Sequence, residues 1–461
     1  MAESPPPSGP ASGPAPAGAP AHRPQGRTLA LQLLAASDAL GQVMAGRALD
    51  RALERVADAE RPGVQALAYE ALRRWGAARW MLGRLAARRP APALGHLLTT
   101  ALALSRPGAG PPLFAPHTVV DQAVEAARRL GGSAAARFAN AVLRRAHREA
   151  DDWTAELEAD VTARTNLPPW WWSRLEADWG PTTAEAVAGA GRQRPPMVLR
   201  VNRRRSSVEA VIRQLAADGV EAVALGADAV HLPKPAPVQR LAGFAQGWWS
   251  VQDLAAQAAA PLLLDATPER PAVPAGARVL DACAAPGGKT AHLLERQDLA
   301  LTAIDRDPHR VTRIQDTLSR LGLSARVACA DAGAPLDWWD GHPFDAILLD
   351  APCTASGVVR RHPDIPWLRH EGDVATLARE QDRLLAALWP LLVPGGRLLF
   401  VTCSVFREEG SRRIDSFLQR CPDARPLPGA PAPGHRLPVR DNDPGAPPAG
   451  DGFFYALIEK T

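Results

Sequence analysis

The 461-residue sequence predicts an α/β protein, a mostly parallel sheet covered on both faces, preceded by a small α/β region and an all-α domain. Three observations predict it. After residue 278 five apolar runs, ARVLDA, LALTAID, ARVACAD, FDAILLD and GRLLFVTCS, alternate with helical stretches, as strands buried on both faces do. Between about 27 and 150, apolar residues recur at three and four positions, with Pro or Gly at the breaks, which is helical spacing. From Met197 the pattern changes again. MVLRVN reads as a strand, SSVEAVIRQLAADGV as a helix capped by Ser206 or Ser207, and VEAVAL as a second strand.

The expected boundaries follow these shifts. Residues 1–26 are nearly all Pro, Ala, Gly and Ser and cannot bury enough surface to fold, so a disordered tail is expected. They lack the basic start and apolar centre of a signal peptide. Residues 27–150 form the helical domain, 151–195 a helical linker, 196–265 the small α/β region and 266–461 the sheet domain. Hydrophobic content of 46% and charged content of 22% are globular values. A formal net charge of +4 permits a nucleic-acid partner without requiring one. No stretch approaches the roughly 18 uninterrupted apolar residues of a membrane span, so no membrane partner is expected. The cysteines at 283, 329, 353, 403 and 421 are odd in number and lack C-x-x-C spacing, which argues against a disulfide framework and a zinc ribbon. No metal, a reducing cytoplasm and a monomer are expected.

In the helical domain Phe138, Val142 and Leu143 read as core, while Arg144, Arg145 and Arg148 can form a basic edge for phosphate contacts. In the linker, Pro168 and Pro169 favour a helix start at LPPWWWSRLEADWG. Three adjacent tryptophans cannot share one helical face, so some pack on a neighbouring domain or one offers a base a stacking platform. Arg200, Asn202, Arg203, Arg204 and Arg205 follow the first small strand as a solvated turn or as RNA-phosphate contacts. GWWSVQDLAAQAAAPLL reads as a helix leading to the sheet domain.

That domain is organised around RVLDACAAPGGKT, residues 278–290. Val279 and Leu280 suit a buried strand, and Ala284, Ala285, Gly287 and Gly288 leave a loop that a ligand can approach closely. Gly288-Lys289-Thr290 matches the end of a phosphate-binding G-x-x-x-x-G-K-S/T loop, but the first glycine of that motif falls on Cys283. A nucleoside cofactor without a phosphate cradle is therefore preferred. Asp305 closes the next strand, where an acid can accept hydrogen bonds from a ribose. Asp331 follows the third strand as a helix cap or a contact to an adenine amino group. Asp350 ends the fourth and is followed at once by Ala351, Pro352 and Cys353, and the fifth ends at Cys403. A single cysteine is commonly a small buried hydrophobe. Two at strand ends beside a cofactor loop point to thiol chemistry.

CAAPGGKT, LLDAPCTASGVVRRHPDI, TCSVFREEG and the closing DGFFYALI together resemble the Sun or RsmB family of bacterial ribosomal RNA cytosine-5 methyltransferases, over about 197–461. VDQAVEAARRLGG and FANAVLRR extend the likeness, resembling a NusB-type RNA-binding domain over 27–150. The resemblance implies a Rossmann-like class I methyltransferase domain, S-adenosyl-L-methionine as cofactor and a cytosine of small-subunit (16S) ribosomal RNA as target. It assigns the cofactor to Cys283, Ala284, Ala285, Pro286, Gly287, Gly288, Lys289, Asp305, Asp331 and Asp350. It makes Cys403 the nucleophile and Cys353 an aid to product release, with Asp350 also meeting cytosine N3. C5 of cytosine is too weak a nucleophile to take a methyl group unaided, so a thiolate must first add at C6. RNA contacts are expected at Arg144, Arg145, Arg203, Arg360 and Arg361, with His362 beside the last two. The rival readings are a transfer RNA or DNA substrate, and an RNA-binding assembly factor with an inert sheet domain.

Overall fold

The structure, a computed structural model, describes residues 26–105, 112–149, 152–266, 271–427, 434–439 and 448–461. The expected tail lies outside them except for Gly26, as do residues 428–433 and 440–447. Helices Gly26–Met44, Arg61–Leu72, Trp75–Leu85, Pro92–Ser105 and Pro116–Arg148 build the helical domain. Leu33, Leu40, Leu97, Leu98 and Ala101 are fully buried between them, as the three-and-four spacing requires. The last helix is broken at Gly131 and Gly132, and Gly132 takes φ +68, a left-handed conformation that glycine adopts without steric cost.

Strands β1 (Met197–Val201), β2 (Val223–Ala224), β3 (Ala229–Leu232) and β4 (Trp249–Val251) form an antiparallel sheet in the order β2-β3-β1-β4. The helix Val208–Ala217 is capped by Ser207, which accepts from Ala210 N. Two expectations are corrected here. VEAVAL contributes only the pair Val223–Ala224, and β3 and β4 were not anticipated. β4 lies inside the segment read as a helix, of which Ala259–Leu264 and a short turn before it are helical. The reason is tertiary. Trp249 pairs with Val201 across the sheet and is completely buried, and burying a large aromatic outweighs local helix propensity.

Strands β5 (Arg278–Ala282), β6 (Ala300–Asp305), β7 (Arg326–Cys329), β8 (Phe344–Asp350), β9 (Leu392–Thr402), β10 (Ala424–Pro426), β11 (Gly434–Arg436) and β12 (Phe453–Lys460) form the large sheet. Its order is β10-β12-β9-β8-β5-β6-β7, with β11 on β12. The five predicted strands, β5 to β9, are parallel, and β12 runs antiparallel to β9. Alternate residues face opposite cores: Val279 and Leu348 meet helices Ala259–Leu264, Gly288–Arg296 and Pro308–Leu321, while Leu280 and Leu349 meet helices Glu371–Leu388 and Ser411–Arg420. The fold is therefore Rossmann-like α/β, as expected. Strand order reverses between β5 and β8, which opens a crevice at their carboxyl ends.

The linker helix Pro169–Trp179 settles the tryptophan question in favour of packing. Trp171 and Trp172 are buried with Val374, Val405 and Phe406 of the sheet domain, and Trp179 Nε1 donates to Val405 O at 2.9 Å. At about 25 cal/mol per Å², a buried tryptophan contributes roughly 5 kcal/mol before entropy is counted. The helical domain also touches the sheet domain directly. Leu49 N donates to Asp364 Oδ2 at 3.0 Å, and Arg73 Nη2 to Arg360 O at 2.9 Å. Trp367 and Leu368 pack on the helical core, so this domain braces the loop that follows Cys353.

Candidate active site

The ends of β5, β6, β8 and β9 meet at one cleft of about 530 Å³. Of the residues predicted for the site, Cys283, Ala285, Pro286, Lys289, Asp305, Asp331, Asp350, Cys353, Cys403 and the predicted RNA contact Arg361 line it. Ala284, Gly287 and Gly288 do not. They shape the loop instead. Gly287 caps the following helix at φ +93, and a Cβ there would lie 3.1 Å from the Ile314 backbone. The loop carbonyls are held from helix Pro308–Leu321, which carries Ile314: Ala285 O by Arg310 Nη2 at 2.8 Å and Pro286 O by Thr317 Oγ1 at 3.1 Å.

The phosphate-cradle reading fails in the structure for a specific reason. Lys289 Nζ donates to Asp350 Oδ2 at 2.7 Å, and Thr290 Oγ1 donates to Asp281 at 2.6 Å. Both residues that would bind a nucleotide phosphate and its metal are engaged with carboxylates. Cys283, where the first glycine would stand, takes φ +62, a strained conformation for a residue with a side chain. Ala355, two residues after Cys353, is also left-handed at φ +61.

Four carboxylates surround this loop. Asp305 is buried and accepts from Ala285 N at 3.2 Å and Asp307 N at 3.1 Å. Asp331 accepts from Arg383 Nη2 at 2.9 Å and Gly333 N at 2.8 Å, and the Arg383 bond holds its pKa below the ordinary range. Burial opposes the Lys289 charge, but Asp350, with Cys403 and Asp281, holds the ammonium above the ordinary lysine range. Asp281 lies beneath them, fully buried, with Oδ1 unpartnered among the described residues. Burial pushes its pKa from 3.8 to about 7, reinforced by Asp350 and resisted by the Thr290 hydrogen bond. The folded chain therefore holds a proton between pH 4 and 7 that the unfolded chain has lost. This contribution to stability is fully present below the unfolded value and is lost as pH rises to about 7. Asp281→Asn is expected to remove that slope, on the order of 3 kcal/mol between pH 5 and 8 at 1.36 kcal/mol per unit. Denaturant unfolding of both proteins at the two pH values checks it; an unchanged slope in the variant refutes it.

The two thiols are in contact, Cys353 Sγ to Cys403 Sγ at 3.5 Å, and both are partly exposed in the cleft. The hydrogen bond to Cys403, then burial and the Glu409 charge, push the Cys353 thiol well above its usual range. Burial, with Asp350, Asp305 and Asp281, pushes Cys283 to about 12, so Cys283 is an inert thiol at neutral pH.

Several basic residues are placed otherwise than expected. Arg360 is not on a solvated loop: it is buried, bonding Asp451 at 2.5 Å and Ala449 O at 2.7 Å. Arg361 bonds Asp451 and, at 2.6 Å, Asp253 Oδ2. Their charges are cancelled by two buried aspartates, so they are not free to release phosphate counterions, and of the trio only His362 is exposed. Arg200 and Asn202 are likewise buried, Arg200 in a two-bond pair with Glu295 at 2.8 and 2.9 Å. Arg144, Arg145, Arg148 and Arg203 are exposed, with Arg203 also pairing Asp228 at 2.6 Å. Nothing in the sequence marks Lys289 as the partner of Asp350, and Asp253, Asp451 and Phe453, although within quoted stretches, carry no individual signal there. Glu409, in the REEG that follows Cys403, likewise has no part legible in the sequence.

No helix of the described residues is long and apolar enough to cross a membrane, and the described residues contain no cluster of three or more metal-ligating side chains. Residues 272–459 match the family described as 16S rRNA methyltransferase RsmB/F, 167–239 the ferredoxin-like domain of the same group, and 24–148 the NusB family. The chain is 41% identical over 441 residues to the ribosomal RNA small subunit methyltransferase B of Pseudomonas putida, covering 93% of this chain and 98% of that protein. Among solved structures it resembles PH0851 with a TM-score of 0.72 at 24% identity, covering 94% of this chain and 99% of the other. It also resembles a methyltransferase homolog protein from Pyrococcus horikoshii, with a TM-score of 0.52 at 26% identity, over 65% and 97% of the two chains.

Proposed function

Because the chain belongs to the RsmB/F family of 16S rRNA methyltransferases, we propose that it methylates C5 of a cytosine in small-subunit ribosomal RNA, using S-adenosyl-L-methionine and a covalent cysteine adduct. The observation that carries this reading is the thiol pair at 3.5 Å on the wall of a cleft that also presents the Lys289–Asp350 ion pair.

The cleft suits a cationic nucleoside. Asp305, Asp331 and Asp350 face an apolar wall that includes Ala285, Pro286, Ile304 and Leu384, so hydroxyls, amines and positive charge find acceptors while a ring finds an apolar surface. Asp305 would hold the ribose, Asp331 the adenine amino group, and the 283–289 loop the rest. When bound, S-adenosyl-L-methionine supplies the electrophilic methyl group that C5 takes.

The chain's own residues do the remaining work. The cytosine must leave its stack to reach the cleft. Cys403, as a thiolate beside the Lys289 ammonium, adds to C6; the new S–C6 bond drives an electron pair towards C5 and N3. In this mechanism Asp350 carries a proton when the base is bound, keeps its Oδ2 contact to Lys289 and donates to N3, which stabilises the charge developing on the ring. After methylation a base removes the C5 proton, the S–C6 pair returns to the Cys403 sulfur, and Cys353 assists that release. Exposed Arg144, Arg145, Arg148 and Arg203 hold RNA phosphates around the base.

Bisulfite sequencing of 16S rRNA from cells with and without the protein tests the proposal. One cytosine mark is expected to vanish without it and to return with the wild-type chain but not with Cys403→Ala. An unchanged map rejects the assignment, and failure of the purified protein to bind labelled S-adenosyl-L-methionine would favour the inert assembly factor.

A further inference from the structure

The last backbone bond between β8 and β9, Ala351 N to Val401 O at 2.9 Å, falls before either reactive thiol. Beyond it the two cysteines stand on separate loops, joined by one backbone bond, Gly357 N to Cys403 O at 2.9 Å. Side chains must do the rest. Glu409 Oε1 accepts from Thr354 N at 2.8 Å, and Oε2 accepts from Thr354 Oγ1 at 2.5 Å and Ser404 Oγ at 2.7 Å. Thr354 follows Cys353 and Ser404 follows Cys403. Ser404 Oγ also contacts Ser356 Oγ at 2.8 Å, and Ser356 Oγ accepts from Val405 N at 3.0 Å. A second bond, Thr402 Oγ1 to Glu409 O at 3.0 Å, ties Glu409 to the residue before Cys403.

We propose that Glu409 is a positioning residue for the thiol pair, its carboxylate bracketing the residue after each cysteine so that the two sulfurs keep their separation during reaction. The inference rests on the thiol reading above. Glu409, Thr354 and Ser404 are completely buried, and no basic group of the described residues lies within salt-bridge distance of the carboxylate. A carboxylate is a costly way to fill an apolar space. Three donors converging from two loops give it a reason to be there, because they fix direction as well as contact. Its charge has a second effect. It adds to the forces that keep Cys353 protonated, while burial raises the pKa of Glu409 itself against the Thr354 and Ser404 hydrogen bonds.

The test uses the full chain with 16S rRNA. Glu409→Ala is expected to lower kcat about 100-fold, the scale on which an ångström of misplacement costs rate, with KM for RNA and cofactor nearly unchanged. Glu409→Gln is expected to recover most of the rate, since the amide oxygen still accepts and both hydroxyls can rotate to accept from its nitrogen. The geometry is read separately with phenylarsine oxide, which bridges two adjacent thiols with loss of water. Mass mapping is expected to find Cys353 bridged to Cys403 in the wild type and in Glu409→Gln, and not in Glu409→Ala. If Glu409→Ala does not fold, Thr354→Val and Ser404→Ala each remove one leg of the bracket and must show the same split. Wild-type kcat, or wild-type bridging alongside a lost kcat, overturns the proposal. Cys403→Ala assayed in parallel isolates the premise: if it retains full rate, the thiol reading fails whatever Glu409 does.

Discussion

Cys403→Ala is expected to reduce methyl transfer to 16S rRNA by about 10⁴- to 10⁶-fold, the range for removing a catalytic nucleophile. The cysteine directly follows β9 on a loop tied back by Gly357 N to its carbonyl, and its sulfur lines the same cleft as Lys289, 3.5 Å from Cys353. Alanine leaves the strand, the ion pair and the cofactor loop in place but removes the atom that would add to C6. Cofactor and RNA binding should therefore change little while turnover disappears. Radiolabelled methyl transfer measures the rate, and equilibrium binding separates the two effects. A variant that still methylates at a tenth of the wild-type rate would remove Cys403 from the mechanism.

The second large effect is a trapped intermediate. Cys353→Ala is expected to retain addition at C6 but to stall release, so that a protein–RNA adduct accumulates on denaturing gels while multiple turnover falls by about 10²- to 10⁴-fold, as for loss of general acid–base assistance. Its hydrogen bond to Cys403, its burial and the Glu409 charge keep this thiol protonated at neutral pH. That suits proton handling rather than nucleophilic attack. An adduct that accumulates with Cys403→Ala and not with Cys353→Ala would exchange the two roles.

The chemistry was legible because it sits at strand ends. A parallel strand writes itself as an apolar run, and the residue that follows the run is placed at the sheet's carboxyl edge whatever the rest of the chain does. Asp305, Asp350, Cys353 and Cys403 are all of this kind, and all line one cleft. The arginines were read less well. In the sequence Arg360 and Arg361 look like a basic loop, yet their partners Asp253 and Asp451 lie 107 or more and 90 or more residues away. Charge that is cancelled by a distant carboxylate cannot be distinguished, from sequence, from charge left for phosphate.

The same division runs through the fold. Local patterning determined the helical domain, the β5–β9 sequence of strands and the cofactor loop, because burial on one or two faces imposes its own period on the residues. Only tertiary structure decided that GWWS is a strand edge, that the tryptophan run packs on Phe406, and that Lys289 turns to Asp350 rather than to a phosphate. It alone set the two sulfurs 3.5 Å apart with Glu409 between their loops. Each of these depends on contacts between residues far apart in the chain, and their free energy is absent until the sheet has closed around them.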